Sequence, residues 1–194
     1  MKQIVISCLK GGVGKSTISV NLAQALREHL SVAILDIDTQ KTTNSLASEY
    51  VKVYRKSDTL ADHDILIIDT PPYIDSSLEQ AFLNSDLIII PTKPSFADLD
   101  ALQATVELVK KVRIKKPNIK AVILINMEDS RSVLSQSIIP ALEQLDIPIF
   151  KTVIETRSNY VRSLISENGI YSFKDKKAID EFNSFVKEVY SYLI

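Results

Sequence analysis

Six short apolar runs recur along the 194-residue chain: Ile4–Cys8, Val32–Ile37, Ile65–Ile68, Leu87–Ile90, Ala121–Ile125 and Ile147–Phe150. Each is of strand length and rich in Ile and Val, and several contain no polar alternation. A strand with one wet face alternates apolar and polar residues, so a run without polar positions calls for burial on both faces. Between the runs lie stretches with helical spacing, such as Leu22, Leu26 and Leu30, or Leu102, Val106, Val109 and Val112. Strand–helix–strand repetition of this kind predicts an α/β fold, a doubly wound, mainly parallel sheet with helices on both faces. The last stretch, Ala178–Ile194, puts Ile179, Phe182, Val186, Val189 and Leu193 on one stripe and predicts a helix docked on the body. No repeat, low-complexity stretch or Pro/Gly-rich linker divides the chain, so residues 1–194 read as one domain.

Composition removes several function classes. With 23 Lys and Arg against 24 Asp and Glu the net charge is −1, so any contact with a polyanion has to come from a local patch. Cys8 is the only cysteine, which excludes an internal disulfide and an all-cysteine metal site and reads as a small buried filler. No apolar run approaches the length of a membrane span, and the N-terminal apolar stretch is too short for a secretory signal, so the chain reads as cytoplasmic. His29 and His63 have no metal-ligand company.

Glycine use is concentrated. Of four glycines, three fall within Gly11–Gly14, between the first apolar run and the first helical stretch. The segment reads Lys10-Gly11-Gly12-Val13-Gly14-Lys15-Ser16-Thr17. Strand, glycine loop and helix in this order form a phosphate-binding loop. Glycines let the backbone turn tightly and aim its N–H groups at anionic oxygens, and the helix N-terminus adds its dipole. Lys15 reaches the β- and γ-phosphates, and the Ser16 hydroxyl suits Mg²⁺. Leu9 stands where the strict eight-residue pattern has glycine, and Lys10 precedes the double glycine instead.

KGGVGKST resembles the deviant Walker A motif of the ParA/MinD family, in which the early lysine reaches across a dimer to the partner subunit's nucleotide. Lys10 occupies that place. Asp36-Ile37-Asp38-Thr39-Gln40 resembles the family's D-x-D-P-Q segment, with Thr39 in place of proline. The resemblance makes Asp38 the residue that positions the attacking water. Asp36 and Asp38 share a face if the strand continues through them, so both can approach one magnesium ion. Ile65-Leu66-Ile67-Ile68-Asp69-Thr70-Pro71-Pro72 resembles a Walker B strand, whose Asp69 orients magnesium. Only 31 positions separate Asp38 from Asp69, which is short for the family and implies a trimmed peripheral element. Asn126 follows the Ala121–Ile125 run where relatives place an adenine-contacting residue; capping a turn is the alternative. Thr156–Arg162 resembles the matching segment of small plasmid partition ATPases of the ParF kind. No N-terminal helix-turn-helix domain is expected.

The resemblance covers nearly the whole chain. It implies an ATP hydrolase that binds ATP with Mg²⁺ through Gly11, Gly12, Val13, Gly14, Lys15, Ser16, Thr17 and Asn126. Lys10, Lys15 and Asp38 would be catalytic, and Ser16, Asp36 and Asp69 would hold the metal. It implies an ATP-bound homodimer that partitions or positions DNA with a ParB-like centromere-binding partner and binds DNA without sequence preference on the nucleoid. Two basic groups suit such binding. One is Lys110, Lys111, Arg113, Lys115, Lys116 and Lys120, which equally suits a helix C-terminus. The other, and the one we take as the DNA side, is Arg157, Arg162, Lys174, Lys176 and Lys177. The alternative is a MinD-like or other positioning ATPase acting on a membrane or protein cargo. Against the membrane version, Lys187 is the only cation after Ala178. Lys10 argues against small-molecule ATP-dependent synthetases, and the single cysteine against an iron–sulfur ATPase. Tyr190 and Tyr192 are a thin match to the tyrosine-rich tail of a bacterial tyrosine kinase.

Overall fold

The computed structural model describes residues 1–38, 50–129 and 134–194, with the backbone alone at 134–136. Seven strands form one parallel sheet: β1 Lys2–Ile6, β2 Val32–Asp36, β3 Lys52–Arg55, β4 Ile65–Asp69, β5 Leu87–Thr92, β6 Lys120–Glu128 and β7 Ile154–Glu155. Their order across the sheet is β3-β2-β4-β1-β5-β6-β7. The helices are α1 Lys15–Leu26, α2 Ser76–Asn84, α3 Phe96–Lys115, α4 Leu134–Glu143, α5 Ser158–Arg162 and α6 Lys176–Leu193, with short 3-10 turns at Ser163–Ile165 and Gly169–Ser172. Among the described residues no helix is long and apolar enough to cross a membrane.

The apolar runs divide residue by residue between two cores. Ile4, Ile6, Ile34, Ile65, Ile67, Leu87, Ile89, Val122 and Leu124 pack on the α1 and α6 side. Val5, Ala33, Leu66, Ile68, Ile88, Ile90, Ala121 and Ile123 pack on the α2, α3 and α4 side. This is why the runs carry no polar alternation: side chains still alternate with period two, but both faces are dry.

Two strands differ from the sequence expectation. The run at 147–150 makes only a single parallel bridge, Ile123 to Ile149. Pro148 offers a carbonyl to Ile123 but no N–H, so the ladder stops there and the seventh strand forms later, at Ile154–Glu155. β3, an edge strand with exposed Lys52 and Arg55, was not expected at all. The doubly wound parallel sheet itself is as expected.

Helix α6 docks as its stripe predicts, with a rotated face. Ala178, Phe182, Phe185, Val189 and Leu193 are the buried residues, and Ile179 and Val186 flank them. Phe185 meets Phe150 and Phe182 edge-on, at 5.2 and 5.5 Å between ring centroids. Glu188 accepts the backbone N–H groups of Lys151 and Thr152 at 2.8 and 2.7 Å, fixing the helix to the body.

Candidate functional site

In a parallel sheet every strand ends at the same edge, so a loop after one strand meets the terminal residues of its neighbours. β1 pairs with β4, and β4 with β2, in a register that aligns Ile6 with Asp69 and Asp69 with Asp36. The loop that leaves β1 therefore lies beside both acids.

Three glycine-dependent features shape that loop. Gly12 and Gly14 have φ of 73° and 91°, in the left-handed region where side chains are strained. At Gly14 there is also no room, since a Cβ would lie 2.3 Å from Asn126 Nδ2. Asn126 Nδ2 donates to the Val13 carbonyl at 2.7 Å, holding the loop from below. Asn126 is buried within β6 rather than following it, and the next residue, Met127, takes φ 57° at an irregularity in the β6–β7 ladder.

Helix α1 opens on Gly14 with no side-chain cap and no acid in its first turn. Helices α2, α3 and α6 each begin with a capping side chain, from Asp75, Ser95 and Asp175. The N–H groups at the start of α1 are thus left for an anion from outside the helix. Lys15 is buried, and its ammonium donates to the carbonyls of Cys8 at 3.1 Å and Lys10 at 2.8 Å. Burial holds its pKa below the ordinary lysine value, while the charges of Asp69 and Asp38 pull the other way. Burial pushes the Cys8 thiol up, leaving it an inert core residue.

Gly11, Gly12, Gly14, Lys15, Ser16, Thr17, Asp38, Pro72, Met127 and Leu164 line one cavity of about 260 Å³. Asp38 donates its N–H to Asp36 Oδ1 at 2.9 Å, tying the two acids together. Asp69 is buried and accepts the Ser19 hydroxyl at 3.2 Å. Thr39 and Gln40 lie outside the described residues. Pro72 reads in the sequence only as part of the Walker B-like segment, and Met127 and Leu164 were not singled out from sequence; for Met127, its place next to Asn126 was the available signal. A larger groove of about 470 Å³ lies on the α2 side of the sheet, and among its described lining residues Lys56 alone is charged. The smaller cavity carries the glycine loop, Lys15 and Asp38.

Lys10 does not line this cavity. Its ammonium donates to the Ala97 carbonyl at 2.7 Å and lies 2.7 Å from Asp98 Oδ1, at an angle that makes an ion pair rather than an aligned hydrogen bond. Asp98 is buried in the first turn of α3. The loop is pinned there a second time, because Leu9 N–H donates to Thr105 Oγ1 at 3.0 Å.

The two basic groups differ in what they touch. In the first, Lys115 pairs with Glu79, while Arg113, Lys116 and Lys120 donate to the carbonyls of Ile119, Ser85 and Tyr192. These contacts are at the strand N-termini, the end of the sheet away from the cavity. In the second group Arg157 turns inward, 2.7 Å from Glu155 and 3.8 Å from Glu181. Arg162 is exposed over the Phe173 ring, at 5.0 Å from the centroid, and Lys174, Lys176 and Lys177 are exposed.

Comparisons with known proteins agree with this architecture. The chain is 28% identical to the maintenance of carboxysome distribution protein A of Halothiobacillus neapolitanus, over 96% of this chain and 95% of that one. It is 21% identical to a virulence plasmid ParA family protein of Chlamydia muridarum, over the full length of this chain and 94% of the other. Among solved structures, a putative plasmid partition protein of Borrelia burgdorferi bound to AMPPNP superposes with a TM-score of 0.75 at 20% identity, covering 96% of this chain and 99% of that one. An ATP complex of McdA from Cyanothece gives 0.75 at 18% identity, covering 98% and 96%. The family model for the CobQ/CobB/MinD/ParA nucleotide binding domain matches residues 4–170. The chain is a member of the CobQ/CobB/MinD/ParA nucleotide-binding family.

Proposed function

We propose that this protein is a Mg²⁺-dependent ATPase of the ParA type, which dimerises on ATP and positions a cargo over DNA. The observation that carries the reading is the single cavity in which Lys15, Ser16 and the α1 N-terminus face Asp38, with Asp36 and Asp69 in register behind it. Loop N–H groups and Lys15 hold the phosphates. Asp38 orients the attacking water, and hydrolysis then needs little beyond positioning and charge neutralisation. Ser16, Asp36 and Asp69 offer only hard oxygen donors. Among the described residues no three His, Cys, Asp or Glu converge as a metal site of their own. That suits an ion bound through one or two protein oxygens plus nucleotide phosphates, as Mg²⁺ is. When bound, the ion neutralises phosphate charge.

Lys10 supports dimerisation. A lysine turned away from its own cavity contributes nothing there, but one that lets go of Asp98 is free to reach the cavity of a second copy. For the DNA surface we take Arg162, Lys174, Lys176 and Lys177, on the same side of the sheet as the cavity edge, and place Arg157 as their support. Dimerisation doubles these contacts, so both affinity and its salt dependence rise together. Fluorescence anisotropy with unrelated duplexes, in Mg·ATP and Mg·ADP over a salt series, tests this. We expect tight binding in ATP alone, with a salt slope about twice that of the monomer. Equal binding in both nucleotides, or none, would refute DNA tethering.

For cargo, we favour a plasmid or chromosome region held by a ParB-like protein. A second reading, a protein body as cargo, is favoured by the 28% identity to a carboxysome distribution protein over nearly both full lengths. Capturing the partner of an ATP-locked dimer separates them: a sequence-specific DNA-binding partner supports the first, and a partner that binds a protein assembly the second.

A further inference from the structure

Asn21 sits one turn beyond the phosphate loop on α1 and is fully buried. Apolar residues flank it, and packing alone would be served by leucine. Instead its amide is used in full. Nδ2 donates to the Thr17 carbonyl and to Ser163 Oγ, both at 2.8 Å, and Oδ1 accepts the Ile170 N–H at 2.7 Å. A buried amide is costly unless satisfied, so these bonds hold the three segments together. The far segment is built around it. Gly169 takes φ 57°, and a Cβ there would lie 2.8 Å from Asn21 Oδ1. Farther along α1, Arg27 donates to the Glu167 carbonyl at 2.8 Å and Asn168 Oδ1 at 2.9 Å.

The bracket joins two parts of one cavity. Thr17, whose carbonyl it holds, is a lining residue, and so is Leu164, next to Ser163. On the outer side of the same segment stand exposed Arg162 and, beyond Phe173, Lys174. We propose that Asn21 is a positioning residue that makes α1 and the 160–172 segment respond to nucleotide as one body. Filling the phosphate loop then orders Leu164 at the cavity and steadies the basic surface outside it. This rests on the nucleotide-site reading above.

Amide hydrogen exchange on the full chain, with and without Mg·ATPγS, tests it through the nucleotide-induced difference, which a purely structural role would not move. In the wild type both 11–17 and 160–172 should slow on adding nucleotide. Asn21→Leu keeps the branched shape and the number of heavy atoms and removes the bonds. It should retain the slowing at 11–17 and lose it at 160–172 by about tenfold or more. Ser163→Ala, which removes the hydroxyl that accepts from Asn21 Nδ2, should show a smaller loss in the same place and decides the matter if Asn21→Leu melts too low to assay. Undiminished slowing at 160–172 in the folded variants would overturn the proposal, as would a wild type that responds at 11–17 alone. A wild type that responds at neither segment would instead overturn the nucleotide site.

Discussion

Gly14→Ala tests whether the phosphate loop and Asn126 form one mechanical unit. Alanine at φ 91° costs about 1–2 kcal/mol in backbone strain before any contact is considered. Its Cβ would then lie 2.3 Å from Asn126 Nδ2, with Met127 Cε at 3.2 Å on its other flank. Asn126 must move, and the buried 2.7 Å bond to Val13 breaks, at about 1–3 kcal/mol. Gly14→Ala alone should therefore destabilise by about 2–5 kcal/mol. Asn126→Ala forfeits the same bond and should cost about 1–3 kcal/mol.

The double variant separates the terms. With Asn126 truncated the nearest obstacle is gone, the flexible end of Met127 at 3.2 Å has to give only slightly, and the backbone strain at position 14 is the main cost added. The two losses should fall short of additivity by about 1–3 kcal/mol, the bond counted twice in the singles. Urea unfolding at constant m gives the cycle, and titration with a fluorescent ATP analogue shows whether nucleotide affinity follows it. Additivity within about 0.5 kcal/mol would refute the mechanical link.

Lys10→Ala should bind nucleotide yet remain monomeric in Mg·ATP by light scattering; an unchanged ATP dimer would confine Lys10 to its ion pair with Asp98. Asp38→Ala should keep ATP binding and lose turnover by about 10²–10⁴-fold, the usual worth of a residue that handles the attacking water's proton. Wild-type single-turnover rates would reassign that role to Asp36. For pH, burial depresses the Lys15 pKa below its ordinary 10.5, and it is the protonated head that holds phosphate. The Lys15 contribution to ATP affinity is therefore complete below the depressed value and is lost as pH rises through it. Calorimetric titration from neutral pH upward should place the midpoint of the decline below 10.5, and a midpoint at or above 10.5 would contradict the burial argument.

What was legible in the sequence follows from the period of the apolar side chains. Runs buried on both faces have no polar residues to confuse their limits, so β1, β2, β4, β5 and the centre of β6 could be read directly. β3 is an edge strand that buries Tyr54 but leaves Lys52 and Arg55 in solvent, and a strand half in water looks like a loop. The run at 147–150 failed for the opposite reason: its residues are apolar, but Pro148 cannot extend a ladder. Asn126 was marked by its place after an apolar run. Its grip on Val13 depends on a loop 113 residues earlier, which no local pattern encodes. Arg157 was grouped with cations by proximity in the chain. Glu155 was visible two residues away, but Glu181 reaches it only because α6 folds back across β7.

The site itself follows from the same parallel order. Because all strands point one way, the acids that end β2 and β4 arrive at the edge where the loop after β1 turns. Asp36 and Asp69 become neighbours through register alone, and Asp38 joins them through its N–H bond to Asp36. Asp38 lines the cavity with Asp36 and Asp69 in register behind it, and among the described lining residues Lys15 is the one cation, its ammonium held by carbonyls. This edge is held in place by the sheet register. It gains most from a ligand that brings anionic oxygens to the uncapped helix and a hard cation to the acids at once. A nucleotide triphosphate with its magnesium does both, whereas phosphate or metal alone serves only one half of the site.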